Sequence, residues 1–225
     1  MCRADIDART ATVWQTRVVA DDEWDELRAR LRQAGVAGEQ DLGRFVSNTE
    51  FFEPSSFDER AAFEVLLAAL PWLNDGKLVG AVAGHLRRPW ARGKAFPVLV
   101  SAFERWSVLD ATAAWHLGDA LGSVATADDL RQLIELARTS RLGMPRQMIV
   151  LALGRFKESA EAQAAARDLA EDDDVALHAL SAYRKIAGPA AALERASEVV
   201  RDHPGTRAAE QAQRQAKKIA KSLTR

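Results

Sequence analysis

Three side chains near the middle of the chain have types and spacing that suit a positively charged group. Trp106 and Asp110 stand four residues apart, and Arg146 opens the corresponding helix one repeat later. An aromatic face and a carboxylate both attract a cation, and together they stabilise positive charge that develops in a reaction. Each residue also has a local explanation. Asp110 fits a capping box that begins at Ser107, Trp106 fits a gap between helices, and the repeat pattern itself favours an arginine at Arg146.

Other familiar reactive groups have little support. The sequence contains no phosphate-binding glycine loop, no nucleophile elbow and no dinucleotide-binding glycine motif. Cys2 is a lone cysteine without a defined base, and the acidic run Asp172–Asp174 is explained by the start of a helix. The histidines fall at unrelated phases of the repeat and lack metal-ligand spacing; they are His85, His116, His178 and His203. We therefore predict no metal site and no cofactor.

Basic residues near the C-terminal ends of predicted helices point to a binding surface instead. They are Arg87, Arg88, Arg155, Lys157, Arg184, Lys185, Lys217, Lys218 and Lys221. Stacking the helices would align these residues as a basic stripe along one edge, which suits an acidic protein segment or a phosphate backbone. The alternative is a purely local role, because lysine and arginine are favoured in the last turn of any helix.

The tryptophans of the first half of the repeat region divide into two kinds. Trp90 lies in the loop RRPWARGK and is the best single candidate for a contact with a partner, since tryptophan is enriched at binding hot spots. Trp115 is flanked by Ala113, Ala114 and Leu117, so we expect it in the core.

The elements that position these residues are predicted to be helices. From Phe57 onward the sequence predicts ten helices of roughly 11–17 residues, with no alternating strand pattern among them. Ser56 is predicted to cap the first of the ten, Ser159 and Thr206 cap later ones, and Gly188 ends another. Residues 21–34 predict an amphipathic helix ahead of this region, and Thr10–Val19 is β-prone.

Every second helix of this region repeats. Superimposing them aligns Leu86, Leu121, Phe156, Ile186 and Ile219, with spacings of 35, 35, 30 and 33 residues. A period in the thirties built from two helices is typical of an α-solenoid. The segments LALGRFK (Leu151–Lys157) and DDDVALHALSAYRKI (Asp172–Ile186) resemble the HEAT-repeat family, in the short form typical of phycobilisome lyases. The resemblance implies an all-α, right-handed α-solenoid of about five two-helix units.

A second resemblance concerns the cation-binding set. Trp106, Asp110 and Arg146, together with LPWLNDGKLVGAVAGHL (Leu70–Leu86), resemble the HEAT-fold alkylpurine DNA glycosylases. The resemblance implies that Trp106 packs against the lesion nucleotide, Asp110 stabilises the positive sugar and Arg146 holds the DNA backbone. The family has a second tryptophan at a position where this chain offers Tyr183 as a substitute.

Charge divides the chain into an acidic front and a basic body. Residues 1–76 carry 8 basic and 15 acidic side chains, whereas residues 77–225 carry 23 basic and 17 acidic ones, so the net charge of −1 is an average. We predict an acidic N-terminal arm and helical cap over residues 1–56 and a HEAT-repeat solenoid over residues 57–225. No apolar run of about 18 residues and no secretory signal is visible, so we expect no membrane span and a cytoplasmic protein.

These observations favour a non-enzymatic interaction module. Its concave face and basic edge would bind a protein partner, and the charge of that edge would suit an acidic one. The alternative is a DNA-binding protein, or an alkylpurine DNA glycosylase, that uses Trp106, Asp110 and Arg146. In that case the three side chains must line one open patch.

Overall fold

The computed structural model describes residues 22–36 and 58–223 of the 225-residue chain. All regular structure in these residues is helical, with no strand among them, so the all-α prediction is confirmed. The chain divides into two compact units, Met1–Leu86 and Arg87–Arg225. The predicted boundary between residues 56 and 57 lies outside the described residues, and so does the β-prone segment Thr10–Val19.

The described part of the first unit contains three helices. They are α1 (residues 22–33), α2 (Glu59–Ala69) and α3 (Gly76–Leu86). The N-cap of α2 is Asp58, whose carboxylate accepts hydrogen bonds from the Arg60 and Ala61 amides. Ser56, which the sequence predicts as the cap of this helix, lies outside the described residues. A carboxylate directly before the first helical residue is well placed to satisfy these N–H groups.

The first helix is tied to the turn between α2 and α3 by one buried carboxylate. Glu23 accepts hydrogen bonds from the backbone and side-chain amides of Asn74 and from the Asp75 amide, at 2.8–3.0 Å. Arg30 lies over the ring of Trp72, with 5.0 Å between its guanidinium carbon and the ring centroid. These contacts fix α1 against the start of α3, because the first amides of a helix lack partners of their own.

The described part of the second unit, residues 87–223, contains eight α-helices. They are α4 (Phe96–Leu109), α5 (Ala111–Val124), α6 (Leu130–Arg138), α7 (Gln147–Ala152), α8 (Ala160–Asp168), α9 (Ala176–Ala187), α10 (Pro189–Asp202) and α11 (Arg207–Leu223). Short 3-10 turns flank α7 at Met144–Arg146 and Leu153–Arg155. The predicted helix ends at Ser159, Gly188 and Thr206 are confirmed: both hydroxyls accept a hydrogen bond from a first-turn amide, and Gly188 has the positive φ of a helix stop.

Close contacts show that α5 and α7 run side by side in the same direction. Gly118 faces Pro145 and Ile149, and one turn later Gly122 faces Met148 and Ala152. A Cβ on Gly122 would stand 2.6 Å from the Ala152 Cβ, so only glycine allows the two helices to approach this closely.

The same direction continues through α9 and α11. The Gln147 side chain donates to the Asp174 carbonyl, and further along Gly154 faces Ala182. Gln211 accepts from the Leu177 amide, and one turn later Gln215 donates to the Ser181 hydroxyl at 2.7 Å. The N-terminal ends of α5, α7, α9 and α11 therefore share one side, the N-terminal edge, and their C-terminal ends share the opposite side, the C-terminal edge.

Candidate functional site

The three side chains predicted to bind a cation do not form an open patch. Trp106 is 3 % exposed and Arg146 is 1 % exposed. Asp110 is the N-cap of α5, and its Oδ1 accepts hydrogen bonds from the Thr112 and Ala113 amides at 2.8 and 3.1 Å. The cap predicted at Ser107 is wrong, because that residue lies inside α4 and donates its hydroxyl to the Phe103 carbonyl. The arrangement favours the local explanation for each of the three residues.

Arg146 organises the N-terminal edge from within. Its Nε donates to the Gly143 carbonyl, its Nη1 to the Ala137 carbonyl and its Nη2 to Asp172, all at 2.9–3.0 Å. A guanidinium group presents five donors in a fixed plane, which suits this combination of two carbonyls and a carboxylate. Arg146 therefore joins the end of α6, the turn before α7 and the start of α9, and it offers no group to a ligand.

The acidic run Asp172–Asp174 is engaged at the same edge. Asp172 accepts from the Asp174 amide at 2.9 Å, and Asp173 accepts from the Ala208 amide at 2.7 Å. Carboxylates are stabilising at helix N-termini, where backbone N–H groups lack partners. The capping prediction is wrong for α9, because its N-cap Val175 makes no side-chain hydrogen bond and Asp172 binds an amide ahead of the helix. Asp173 instead satisfies an amide at the start of α11. In the described parts of the chain, no group of His, Cys, Asp and Glu side chains could hold a metal ion.

At the C-terminal edge, two of the predicted binding arginines are engaged within the unit. Arg87 forms an ion pair with Asp119. Arg155 donates to the carbonyls of Gly122 and Ala125, where the chain leaves α5. Burial, and then the charge of nearby Arg92, lowers the pKa of Arg155. The helix-terminus alternative therefore describes Arg155 well, because this arginine satisfies carbonyls that have no partner within the helix.

The remaining predicted contacts are placed in three different environments. Tyr183 is buried in the interior face of α9, so its ring is not presented to a partner. Arg88 and Trp90 are half-buried at the 3-10 turn Pro89–Ala91, which packs against α5. Lys157, Arg184, Lys185, Lys217, Lys218 and Lys221 are exposed.

Six of the cations at the C-terminal edge define what we call the basic edge. They are Arg92, Lys157, Arg184, Lys185, Lys217 and Lys218, and all six are exposed. None of them forms an ion pair with another described residue. Exposed carboxylates also lie near this edge, Asp128 in the turn after α5 and Glu158 and Glu161 at the start of α8, and the six cations outnumber them.

The six cations follow one another across neighbouring helices. Arg92 is close enough to Arg155 to lower its pKa. The Cδ of Lys185 stands 2.9 Å from the position of a Cβ on Gly154, directly before Arg155. The Ser181–Gln215 hydrogen bond sets α9 and α11 in register, so Lys185 and Lys218 lie at the same level. The sequence analysis did not include Arg92 among the basic residues, because it lies in a loop and not near the end of a predicted helix.

Apolar exposure is the other feature that sequence reasoning missed. Trp115, expected in the core, is 36 % exposed and meets the ring of His116 edge-on, with 5.3 Å between the ring centroids. Val108 and Leu109 are 83 % and 64 % exposed. The cap wrongly assigned to Ser107 had placed these two residues inside the next helix, whereas they form the last turn of α4.

Among the described residues, none of the helices combines the length and the apolar character that a membrane span requires. No protein-family model, curated protein or solved structure matches the chain.

Proposed function

We propose that the chain is a non-enzymatic interaction module, a HEAT-like α-solenoid that binds an acidic protein segment along its basic edge. The observation that carries the proposal is the set of unpaired cations repeated in register on neighbouring parallel helices. A single exposed lysine is ordinary, whereas aligned cations without partners produce a continuous positive potential. The proposal requires no reacting group.

The solenoid part of the proposal is supported by the way the helices pair. In the second unit, α4 packs on α5, α8 on α9, and α10 on α11, while α5, α7, α9 and α11 lie next to one another. A two-helix unit that buries its apolar face only against its neighbours is the defining feature of a solenoid. The aligned period of Leu121, Phe156, Ile186 and Ile219 agrees with this order.

The spacing of the cations favours an extended partner. Neighbouring packed helices stand about 8–10 Å apart, so the basic edge offers a cationic position at about that interval. An extended chain in the polyproline II conformation has three residues per turn and advances about 3.1 Å per residue, so every third side chain lies on the same side, about 9 Å further along, and meets the next helix. Lysine and arginine at these positions therefore fit a peptide with Asp or Glu at every third position or denser.

The experiment measures binding of a fluorescein-labelled peptide of about 12 residues made of Asp and Glu, which spans about 40 Å. Fluorescence anisotropy at about 50 mM and about 200 mM salt gives the dissociation constant and its salt dependence. We expect Arg184→Gln/Lys185→Gln to weaken binding about tenfold, since two unpaired cations are lost. The matched control is Arg131→Gln/Arg201→Gln, which removes the same charge from exposed positions on α6 and α10.

Two outcomes would contradict the proposal. One is equal weakening of peptide binding by the two double variants, which would show that the net charge of the chain matters and the position of the cations does not. The other is tight, salt-dependent binding of an unlabelled duplex competitor of about 20 base pairs with no binding of the acidic peptide, which would favour nucleic acid as the partner of the basic edge.

A further inference from the structure

Exposed large apolar side chains are concentrated at one corner of the second unit. Among the described residues there are five, and four of them are Val108, Leu109, Trp115 and Met144, whereas Leu223 stands alone near the end of α11. We call these four residues the apolar corner. Single exposed apolar residues are normal on a protein surface, but a cluster of them marks an interaction site.

The helix geometry brings the four residues to the N-terminal edge. Val108 and Leu109 end α4 directly before Asp110 begins α5. Trp115 lies on α5 three residues before Gly118, which faces Pro145, and Met144 directly precedes that proline. Long side chains on a helix point back toward its N-terminus, so Trp115 covers the first turn of α5 beside the end of α4.

Charges of both signs accompany the apolar corner, among them Arg207, whose Nη2 donates to the Met144 Sδ at 3.8 Å. Glu104 is exposed one turn before Val108, on the same face of α4. Arg141 is exposed in the 3-10 turn Ser140–Leu142, which packs against α4 and leads to Met144. Neither side chain forms an ion pair with another described residue. A patch that carries both signs beside an apolar centre is complementary to a second copy of itself.

We propose that the apolar corner binds a second copy of this chain in a two-fold dimer, with Glu104 of each copy facing Arg141 of the other. A two-fold contact places the same patch on both sides, so an apolar centre meets an apolar centre and each acid meets a base. Tryptophan and methionine are enriched in the centres of protein interfaces, where charged residues are depleted. The inference goes beyond the proposed function, and it uses the edge opposite to the basic edge.

Sedimentation velocity and light scattering from about 1 to about 100 µM test the dimer, a range that detects a dissociation constant of the order of micromolar. We expect a wild-type mass approaching twice 24.7 kDa at the upper concentration. Val108→Ser/Leu109→Ser is expected to weaken the dimer at least about tenfold, as loss of two central apolar contacts does. Both residues are exposed, so circular dichroism should show an unchanged helix content. Leu223→Ser removes an exposed leucine elsewhere and should leave the dimer intact.

A charge exchange tests the pairing itself. Glu104→Arg and Arg141→Glu should each weaken the dimer, because each places like charges opposite one another, and the double variant should restore it. A wild-type chain that stays monomeric at the highest concentration would overturn the proposal, as would species that grow beyond a dimer. Equal weakening by Leu223→Ser, or failure of the double variant to restore association, would also contradict it. Because the basic edge is unchanged in these variants, acidic-peptide binding reports separately on the proposed function.

Discussion

The N-terminal and C-terminal edges of the second unit are formed by the same parallel helices, yet they use their charged side chains differently. At the N-terminal edge, Asp110, Asp172 and Asp173 each accept a hydrogen bond from a backbone amide, and the buried Arg146 forms an ion pair with Asp172. At the C-terminal edge Arg155 satisfies two carbonyls, while the six cations of the basic edge have no acidic partner among the described residues.

The difference follows from what each helix end offers. Helix N-termini present several N–H groups that a short carboxylate reaches easily, so acids there become part of the structure. Helix C-termini present carbonyls, which flexible lysine and arginine side chains approach at greater loss of conformational entropy. Cations at that edge are therefore favoured by the helix dipole and still remain available for a ligand. Residue type alone therefore does not distinguish a charge that stabilises the fold from one that is available for binding.

The largest expected effect comes from exchanging the buried arginine. Arg146→Met removes three hydrogen bonds and leaves Asp172 and two carbonyls without their donor, so we expect a loss of about 3–5 kcal/mol in the free energy of unfolding. Arg155→Met removes hydrogen bonds to carbonyls at a more exposed site and should cost about 1 kcal/mol. Urea titrations followed by circular dichroism measure both. Equal losses would show that the two edges do not differ in the way described.

An intermediate effect is expected at Asp110, where the structural and glycosylase interpretations separate. Asp110→Ala should cost about 1 kcal/mol through loss of the N-cap, whereas Asp110→Asn keeps an acceptor oxygen and should cost much less. Both variants are compared with wild type for release of methylated purines from alkylated duplex DNA. Release by the wild type that disappears in the stable Asn variant would overturn the structural role, because the carboxylate would then act in catalysis.

The helical class and many helix ends could be predicted from the sequence, because they depend on short-range rules. Ser159, Thr206 and Gly188 act on amides or backbone angles within a few residues, so their local context was sufficient. The same rules failed at Ser107, where the downstream competitor Asp110 binds the amides and the serine returns its hydroxyl to α4. Because Ser107 was predicted to start the next helix, Val108 and Leu109 were assigned to that helix, and their exposure at the end of α4 was missed.

The use of each charge could not be predicted, since it depends on partners far away in the sequence. Arg146 and Asp172 are 26 residues apart, and Arg155 lies 33 residues from the Gly122 carbonyl. The sequence pattern placed these two arginines at opposite ends of one helix, α7, but carried no information on which acceptor stands opposite each one. The burial of Tyr183 was also missed, because a single aromatic residue on a helix suits the interior as well as the surface.

The smallest expected effect concerns His178, which lies on α9 between the two edges. Burial lowers its pKa, and its Nδ1 is buried without a hydrogen-bond partner. The unfolded state therefore binds a proton at His178 near pH 6.5, whereas the folded state binds it only at lower pH. The free energy of unfolding should fall as the pH drops below about 6.5, and it should level off below the folded-state pKa. His178→Gln should reduce the fall in the urea midpoint between about pH 7.5 and 5.5, a range above carboxylate titration. His116, whose pKa is also lowered by burial, still contributes to the pH dependence of stability in that variant. An unchanged fall in His178→Gln would show that the interior between the two edges admits the charge as readily as the edges do.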